Sequence, residues 1–301
     1  MVVRRTDDEI SIICQPLFNP IRHISQAAGL PDLGYFTATK HSAVIAEEVE
    51  DEDGRVKPGK VYGMAASLSG FAKMRGFAFT TDAIVFDEFI PEDNVRHLKE
   101  EAKTFFNLWE SVDHNREMLT GQKPKCFLLA NSNRLNNDIL VQLNLVRDII
   151  AMREKQQEIL YYEQAGLVVV NIYKSPVSEK KRETSLYRLT AARGNNFEDM
   201  ALANKFNDYD QTYIRPTSLK GFQPIYAIGG IICYWSPGRR EWYITDHASS
   251  KPKHEYAGDN TGRWQFQRAS KEILAYLSVG RVFFSDPASQ IICYNYLGLK
   301  Y

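Results

Sequence analysis

Apolar positions in the first half of this chain gather into unbroken runs, and in the last third into short aromatic and β-branched stretches. Ala83-Ile84-Val85-Phe86 is the clearest run, and it leads straight into Asp87 and Glu88, then Phe89. Four apolar residues without a polar break predict a strand covered on both faces, as in a parallel sheet. Charges are costly inside such a sheet. The two carboxylates therefore belong at its carboxyl end, where open α/β sheets hold their ligands. Lys125-Cys126-Phe127-Leu128-Leu129-Ala130 predicts a second buried strand, tipped by Asn131. Between the two, Val95, Leu98, Ala102, Phe105, Phe106 and Trp109 recur at helical spacing and predict an amphipathic helix against the sheet.

Met1-Val2-Val3-Arg4-Arg5 reads as the tail of a strand, residues 7–14 as a loop and short helix, and residues 61–69 as a strand ending in serines. The acidic stretch Glu47 to Asp53 reads as a solvated hairpin or insertion. Ile139, Leu140, Leu143, Val146 and Ile150 give a helical rhythm over residues 138–154. Strands at 159–162 and 167–173, joined through Gly166, then close a first domain at Ser175-Pro176. Residues 178–192 predict a helix capped by Ser178 and lined by Lys180, Lys181, Arg182 and Arg188, and Asn196 caps a second through Asn204. From Thr212 onward, short aromatic strands separated by Gly229-Gly230 and Ser236-Pro237-Gly238 predict an antiparallel meander. A helix over residues 270–277 and the apolar runs 282–284 and 291–294 end the chain. The division is an α/β domain at 1–175, a helical linker at 176–211 and an α+β domain at 212–301.

Composition narrows the class. The 301 residues suffice for two cores, and 44% apolar with 25% charged residues is an ordinary globular balance. Lys+Arg and Asp+Glu are both 37, so any nucleic-acid contact must come from local basic patches. Cys14, Cys126, Cys233 and Cys293 are widely spaced and indicate neither a disulfide framework nor a zinc site. No apolar stretch approaches the ~20 residues of a membrane helix, and the N-terminus does not resemble a signal peptide, so a cytoplasmic location is expected.

Asp87 and Glu88 carry the candidate chemistry. In nucleotide-hydrolysing enzymes the first of two such carboxylates holds Mg²⁺, often through water, and the second activates the attacking water. The same pattern also fits a strand that merely stops where polar residues begin. Gly54-Arg55-Val56-Lys57-Pro58-Gly59-Lys60-Val61 matches the spacing of a phosphate-binding loop, but we reject it. Val61 stands where a hydroxyl is required, acids precede it in place of a buried strand, and Pro58 removes a backbone donor.

In their order and spacing these segments resemble the DNA-packaging (encapsidation) ATPases of small protein-primed tailed phages, relatives of the terminase large subunit. Val3-Arg4-Arg5, Ile84 through Ile90, Asn115-Arg116-Glu117, the strand ending at Asn131, Asn204-Lys205-Phe206 and Tyr243-Ile244-Thr245-Asp246 carry the likeness over nearly the whole chain. The resemblance implies a P-loop NTPase-type, additional-strand ATPase parallel sheet, incomplete at the N-terminus, then a helical linker and an α+β RNase H-like domain. It implies a motor, usually a pentameric ring on the portal of a procapsid in the host cytoplasm. Such a motor hydrolyses ATP with Mg²⁺ to drive double-stranded DNA inside, in some members in contact with a structural RNA.

Residue by residue, Asp87 would assist Mg²⁺ as a Walker B acid and Glu88 would be the catalytic base. Arg116 would act as a finger on the neighbouring subunit, although the family often carries another arginine where this chain has His114. A surface ion pair with Glu117 or Glu110 is the plainer role for Arg116. Asn131 would be the coupling residue. Lys73 or Arg75 would face the neighbouring nucleotide, and Arg4 and Arg5 would contact nucleotide or DNA or else take plain surface roles. The family places its G-x-x-x-x-G-K-[ST] loop before the Val-Arg-Arg strand, where this sequence begins. The expectation is therefore a fragment, a mis-assigned start or a split gene, with weak ATP hydrolysis of its own and an exposed apolar edge on the Asp87 strand. Two rival readings stay open. One is a metal-dependent nuclease using acids among Asp208, Asp210, Asp246 and Asp286. The other is a non-catalytic scaffold binding portal, DNA or RNA.

Overall fold

The structure is a computed structural model that describes residues 1–12, 25–29, 31–39, 42–71, 81–91, 98–130, 134–173, 180, 183–192 and 211–299. Its contacts divide the chain into two compact units, Met1–Asn131 and Ser132–Tyr301.

The first unit contains β1 (Val2–Arg4), α1 (Asp7–Ile12), β2 (Leu33–Thr39), β3 (Ser42–Glu50), β4 (Val56–Ser67), β5 (Ala83–Asp87), α2 (Glu101–Asp113), α3 (Arg116–Thr120) and β6 (Lys125–Leu129). Among the described residues its strands form a six-stranded sheet in the order β2-β3-β4-β1-β5-β6. β1 runs parallel to β4 and β5, and β5 parallel to β6, while β2, β3 and β4 form an antiparallel meander. The apolar run predicted as a doubly covered strand is β5, with Ile84 and Phe86 fully buried. The expectation of an exposed apolar edge on this strand fails. Val2 and Val3 pair with Val85 and Phe86 on one side, and β6 pairs along the whole strand on the other.

Each face of this sheet has its own cover. Phe105 of α2 meets the Phe86 ring at 5.5 Å, and Ala102, Leu108 and Val112 complete the buried stripe. The helix starts at Glu101, and residues 92–97 lie outside the described residues. Its buried stripe leaves Trp109 36% exposed. On the other face Ile10 of α1 packs on Ala65, with Val2, Tyr35 and Ile45 around it. The acids Glu47, Glu48 and Glu50 stand in β3, one arm of a hairpin with β4, as the hairpin reading of this acidic stretch expects. The turn follows them, where Asp51 accepts from the Asp53 and Arg55 N–H groups and Gly54 adopts φ 74°. The rejected phosphate-loop match is therefore one arm of a hairpin, with Pro58 opposite Glu48.

The second unit contains α4 (Asp138–Gln142), α5 (Val146–Glu154), β7 (Ile159–Tyr162), β8 (Leu167–Val170), α6 (Ser185–Ala192), β9 (Gln223–Ile228), β10 (Ile231–Ser236), β11 (Glu241–Thr245), β12 (His254–Glu255), α7 (Asn260–Ala269), α8 (Lys271–Ser278), β13 (Val282–Phe284) and α9 (Pro287–Leu297). The helical rhythm over 138–154 is two helices, because Asn144 takes φ 56° and breaks the first. β9, β10 and β11 form the predicted antiparallel meander. β12 joins it beside β9 and β13 beside β11, both in parallel. Of the two runs that end the chain, the first is β13 and the second lies inside α9. Asp286 caps α9 by accepting from the Ser289 N–H, Pro287 opens it and Gly298 at φ 73° ends it.

Contacts place α4, α5, β7 and β8 in this second unit, whereas the sequence reading put its boundary at residue 175. The reason is bonding. Asp138, Gln142 and Arg147 are tied to Arg263, the Gly258 carbonyl and Asp286. Of the linker at 176–211, only residues 180, 183–192 and 211 are described, and Asn196 through Asn204 and Lys205-Phe206 lie outside.

Candidate functional site

The parallel pairing of β1, β5 and β6 brings three chain segments to one end of the sheet. Asp87 closes β5, and Glu88 follows it at φ 53°, a left-handed conformation that a non-glycine residue adopts at some cost in strain. That sharp turn separates the two carboxylates from the sheet's alternation. Arg4 at the end of β1 meets both of them. Its Nη2 donates to Asp87 Oδ2 at 2.6 Å and its Nη1 to Glu88 Oε2 at 2.8 Å. Arg4 is 3% exposed, whereas the Asp87 and Glu88 side chains are 22% and 43% exposed. A buried guanidinium therefore neutralises two acids whose outer atoms face solvent. Among the described residues only Oε2 of Glu88 is engaged, which leaves the other oxygen open to a water or an incoming group.

Arg5, expected beside nucleotide or DNA, is instead buried at 2% exposure. Its Nε donates to the buried Glu101 at 2.8 Å and its Nη2 to the carbonyls of Glu88 and Phe89. Those bonds hold the strained turn, and the guanidinium sits 5.8 Å from the Phe86 ring centroid. Glu101 is thus a positioning residue that the sequence reading missed. Its signal was an acid at the start of a helix, which passes for a helix-dipole preference.

Arg116 lies at the opposite end of β5. Its guanidinium donates to Asp82 at 3.1 Å and to the Thr81 carbonyl at 2.8 Å. Its ion-pair partner is therefore neither Glu117 nor Glu110. Five residues of strand separate Asp82 from Asp87, roughly 16 Å, so Arg116 is not brought to Asp87 and Glu88 of its own chain. Lys73, Arg75 and Asn131 lie outside the described residues, as do Asp208 and Asp210.

In the second unit Asp246 follows β11 and Asp286 follows β13, two neighbouring parallel strands. Arg147 of α5 stands between them, with Nη1 3.2 Å from Asp246 and 3.0 Å from Asp286. Burial pushes the Asp286 carboxyl up. The hydroxyls of Ser285 and Ser289, the Ser289 N–H and Arg147 outweigh that and hold it below its ordinary value. No cluster of three or more His, Cys, Asp or Glu suited to a metal occurs among the described residues. Cys233 and Cys293 are buried free thiols, and burial pushes the half-buried Cys126 up to about 12.

Comparison with the curated proteins returns no match. Among solved structures the fold is similar to the Phi-28 gp11 DNA packaging motor. That likeness has a TM-score of 0.60 at 15% identity, over all of this chain and 86% of that one. It is also similar to the bacteriophage Phi-29 viral genome packaging motor assembly, with a TM-score of 0.53 at 20% identity over 97% and 84% of the two chains. At such identities the likeness speaks for the fold, a mixed α/β architecture with a parallel sheet. Residues 35–256 match the family described as Podovirus DNA encapsidation protein (Gp16), and the chain belongs to that family of phage DNA-packaging proteins.

Proposed function

We propose that this DNA encapsidation protein is the motor subunit that couples ATP hydrolysis to movement of double-stranded DNA into a procapsid, as a ring of copies docked at the portal in the host cytoplasm. The observation that carries the reading is the carboxylate pair at the carboxyl end of β5, neutralised by a buried arginine yet open to solvent. Two hard oxygen donors with outward-facing atoms fit the waters of Mg²⁺. Asp87 is the residue to hold the ion, and Glu88 the one to take a proton from water. Bound ATP would supply the phosphoryl group that the water attacks. A backbone cradle for its phosphates is not among the described residues. Arg116, remote from Asp87 and Glu88 of its own chain, would act on a neighbouring copy once released from Asp82 and the Thr81 carbonyl. We keep Asn131, Lys73 and Arg75 as candidates for coupling and for contact with the neighbouring nucleotide.

Charge supports DNA contact through the second half. Met1–Asn131 carries 20 acidic and 15 basic residues, whereas Ser132–Tyr301 carries 17 and 22. The basic excess can meet phosphates of DNA or of a structural RNA. An RNase H-like descent of this unit belongs to the same proposal, but the two of its candidate acids that are described, Asp246 and Asp286, do not fit a nuclease. Arg147 occupies the space between Asp246 and Asp286 in which two metals would have to be held.

Glu88→Gln tests the reading, because glutamine still accepts from Arg4 but cannot take a proton. DNA packaged into procapsids should fall ~100-fold or more, with hydrogen-exchange protection of β5 unchanged. Packaging at the unsubstituted level would overturn the motor site and favour a non-catalytic scaffold.

A further inference from the structure

The helices that follow β6 in the chain are fastened to the C-terminal sheet by two arginine latches running in opposite directions. In one, Arg147 of α5 reaches Asp246 and Asp286 and also donates to Ser289 Oγ at 3.0 Å. In the other, Arg263 of α7 reaches back to Asp138 of α4 at 2.5 Å and to Asn295 Oδ1. Its guanidinium also lies 5.2 Å from the Tyr296 ring centroid. Gln142 adds a bond to the Gly258 carbonyl at 2.7 Å, and Asn295 donates to Asn136 at 3.1 Å. Charge-assisted bonds of fixed fork geometry specify orientation as well as attraction. Four carboxylate and amide acceptors on two arginines therefore fix one orientation of α4–α5 on the sheet.

We infer that Arg147 and Arg263 are coupling residues of DNA packaging. They make α4–α5 and the C-terminal sheet move as one piece, so that displacement of the segment after β6 is delivered to the basic half of the protein. The acids at the ends of β11 and β13 serve as anchors in this arrangement, which explains why one arginine consumes both. The inference rests on the motor reading for the origin of the displacement, but the latch itself can be read without it.

The experiment uses the full chain with Arg147→Ala, Arg263→Ala and Arg147→Lys. Hydrogen exchange should show α4–α5 amides losing protection in both alanine variants while β9–β11 amides keep theirs. DNA packaged per procapsid should fall about tenfold in each alanine variant, and Arg147→Lys, which keeps the charge between the two acids, should recover most of it. Normal packaging despite loosened helices would overturn the coupling role, and unchanged helix protection would overturn the latch. Loss of protection throughout the unit together with lost packaging would reduce both arginines to structural residues and overturn the inference too. If Glu88→Gln packages normally while the latch variants behave as expected, the motor site fails and the latch stands.

Discussion

Arg4 is where the geometry makes its most quantitative demand. Replacing it with methionine keeps the buried stem and removes both ion pairs. Breaking a buried pair costs about 3–5 kcal/mol, whereas a solvent-exposed pair is worth about 0–1 kcal/mol. Arg4 is 3% exposed, but its partners are 22% and 43% exposed, so the Asp87 bond lies nearer the first limit and the Glu88 bond nearer the second. The two together place the loss at about 2–4 kcal/mol, most of it through Asp87. Hydrogen exchange of the β5 and β6 amides reads the first unit by itself. Double-mutant cycles apportion the loss. Arg4→Met with Asp87→Asn should show a coupling of about 1–2 kcal/mol, and Arg4→Met with Glu88→Gln less than about 1 kcal/mol. A total loss below about 1 kcal/mol, or a larger coupling to Glu88 than to Asp87, would refute the assignment of Arg4 as the buried counter-ion of the pair.

Two further consequences belong to the second unit. Asp286 is held below its ordinary value, and a depressed carboxyl stabilises the fold fully above the ordinary carboxylate pKa and less as pH falls through the folded value. The melting temperature of the unit should therefore be level from neutral pH to about 5 and drop below about 4, and Asp286→Asn should lose that acid limb. An acid limb unchanged in the variant would remove Asp286 from the latch. At Gly229, φ is 54° and an added Cβ would lie 2.1 Å from the Tyr296 ring, so Gly229→Ala should cost about 2–4 kcal/mol. A variant that melts as the original does would mean that α9 can shift to make room.

Periodicity in the sequence was enough to find β5, β6 and the β9–β11 meander as strands, because each is a run whose polar neighbours mark its ends; but β6, expected to be buried, is an edge strand among the described residues, with Phe127 47% and Leu129 49% exposed. Periodicity was not enough for α9. That helix is buried nearly all round, so residues 291–294 show no amphipathic period and cannot be told from a buried strand by pattern alone. Its cap was in plain view: Asp286 before Pro287, and Gly298 eleven residues on. The Asp87-Glu88 pair was legible because charge after an apolar run is costly unless the strand has ended. Its counter-ion was not, since Arg4 lies 83 residues away and only the β1–β5 pairing brings it there. The same holds for Arg5 with Glu101 and for Arg147 with Asp286. Long-range ion pairs leave no local trace. The predicted open edge of β5 failed for a related reason: nothing in Val2-Val3-Arg4 alone names its neighbour.

Each unit joins two carboxylates at strand ends to one arginine from a distant segment, yet the two arrangements differ in what is left over. At Asp286, Oδ1 accepts from Arg147 and the Ser289 N–H, and Oδ2 accepts from the hydroxyls of Ser285 and Ser289. Asp246 divides its oxygens between Arg147 and the Thr245 and His247 side chains. Both oxygens of Asp286 are occupied and Arg147 bridges it to Asp246, which makes a joint. At Glu88 the guanidinium takes one oxygen, the backbone is held in a left-handed turn by Arg5, and nearly half of the side chain meets solvent. An oriented carboxylate with an unused lone pair at a sheet's carboxyl end is poised for proton transfer. The difference in residual bonding capacity, more than the identity of the acids, is what supports the chemistry proposed for the first unit and the attachment proposed for the second.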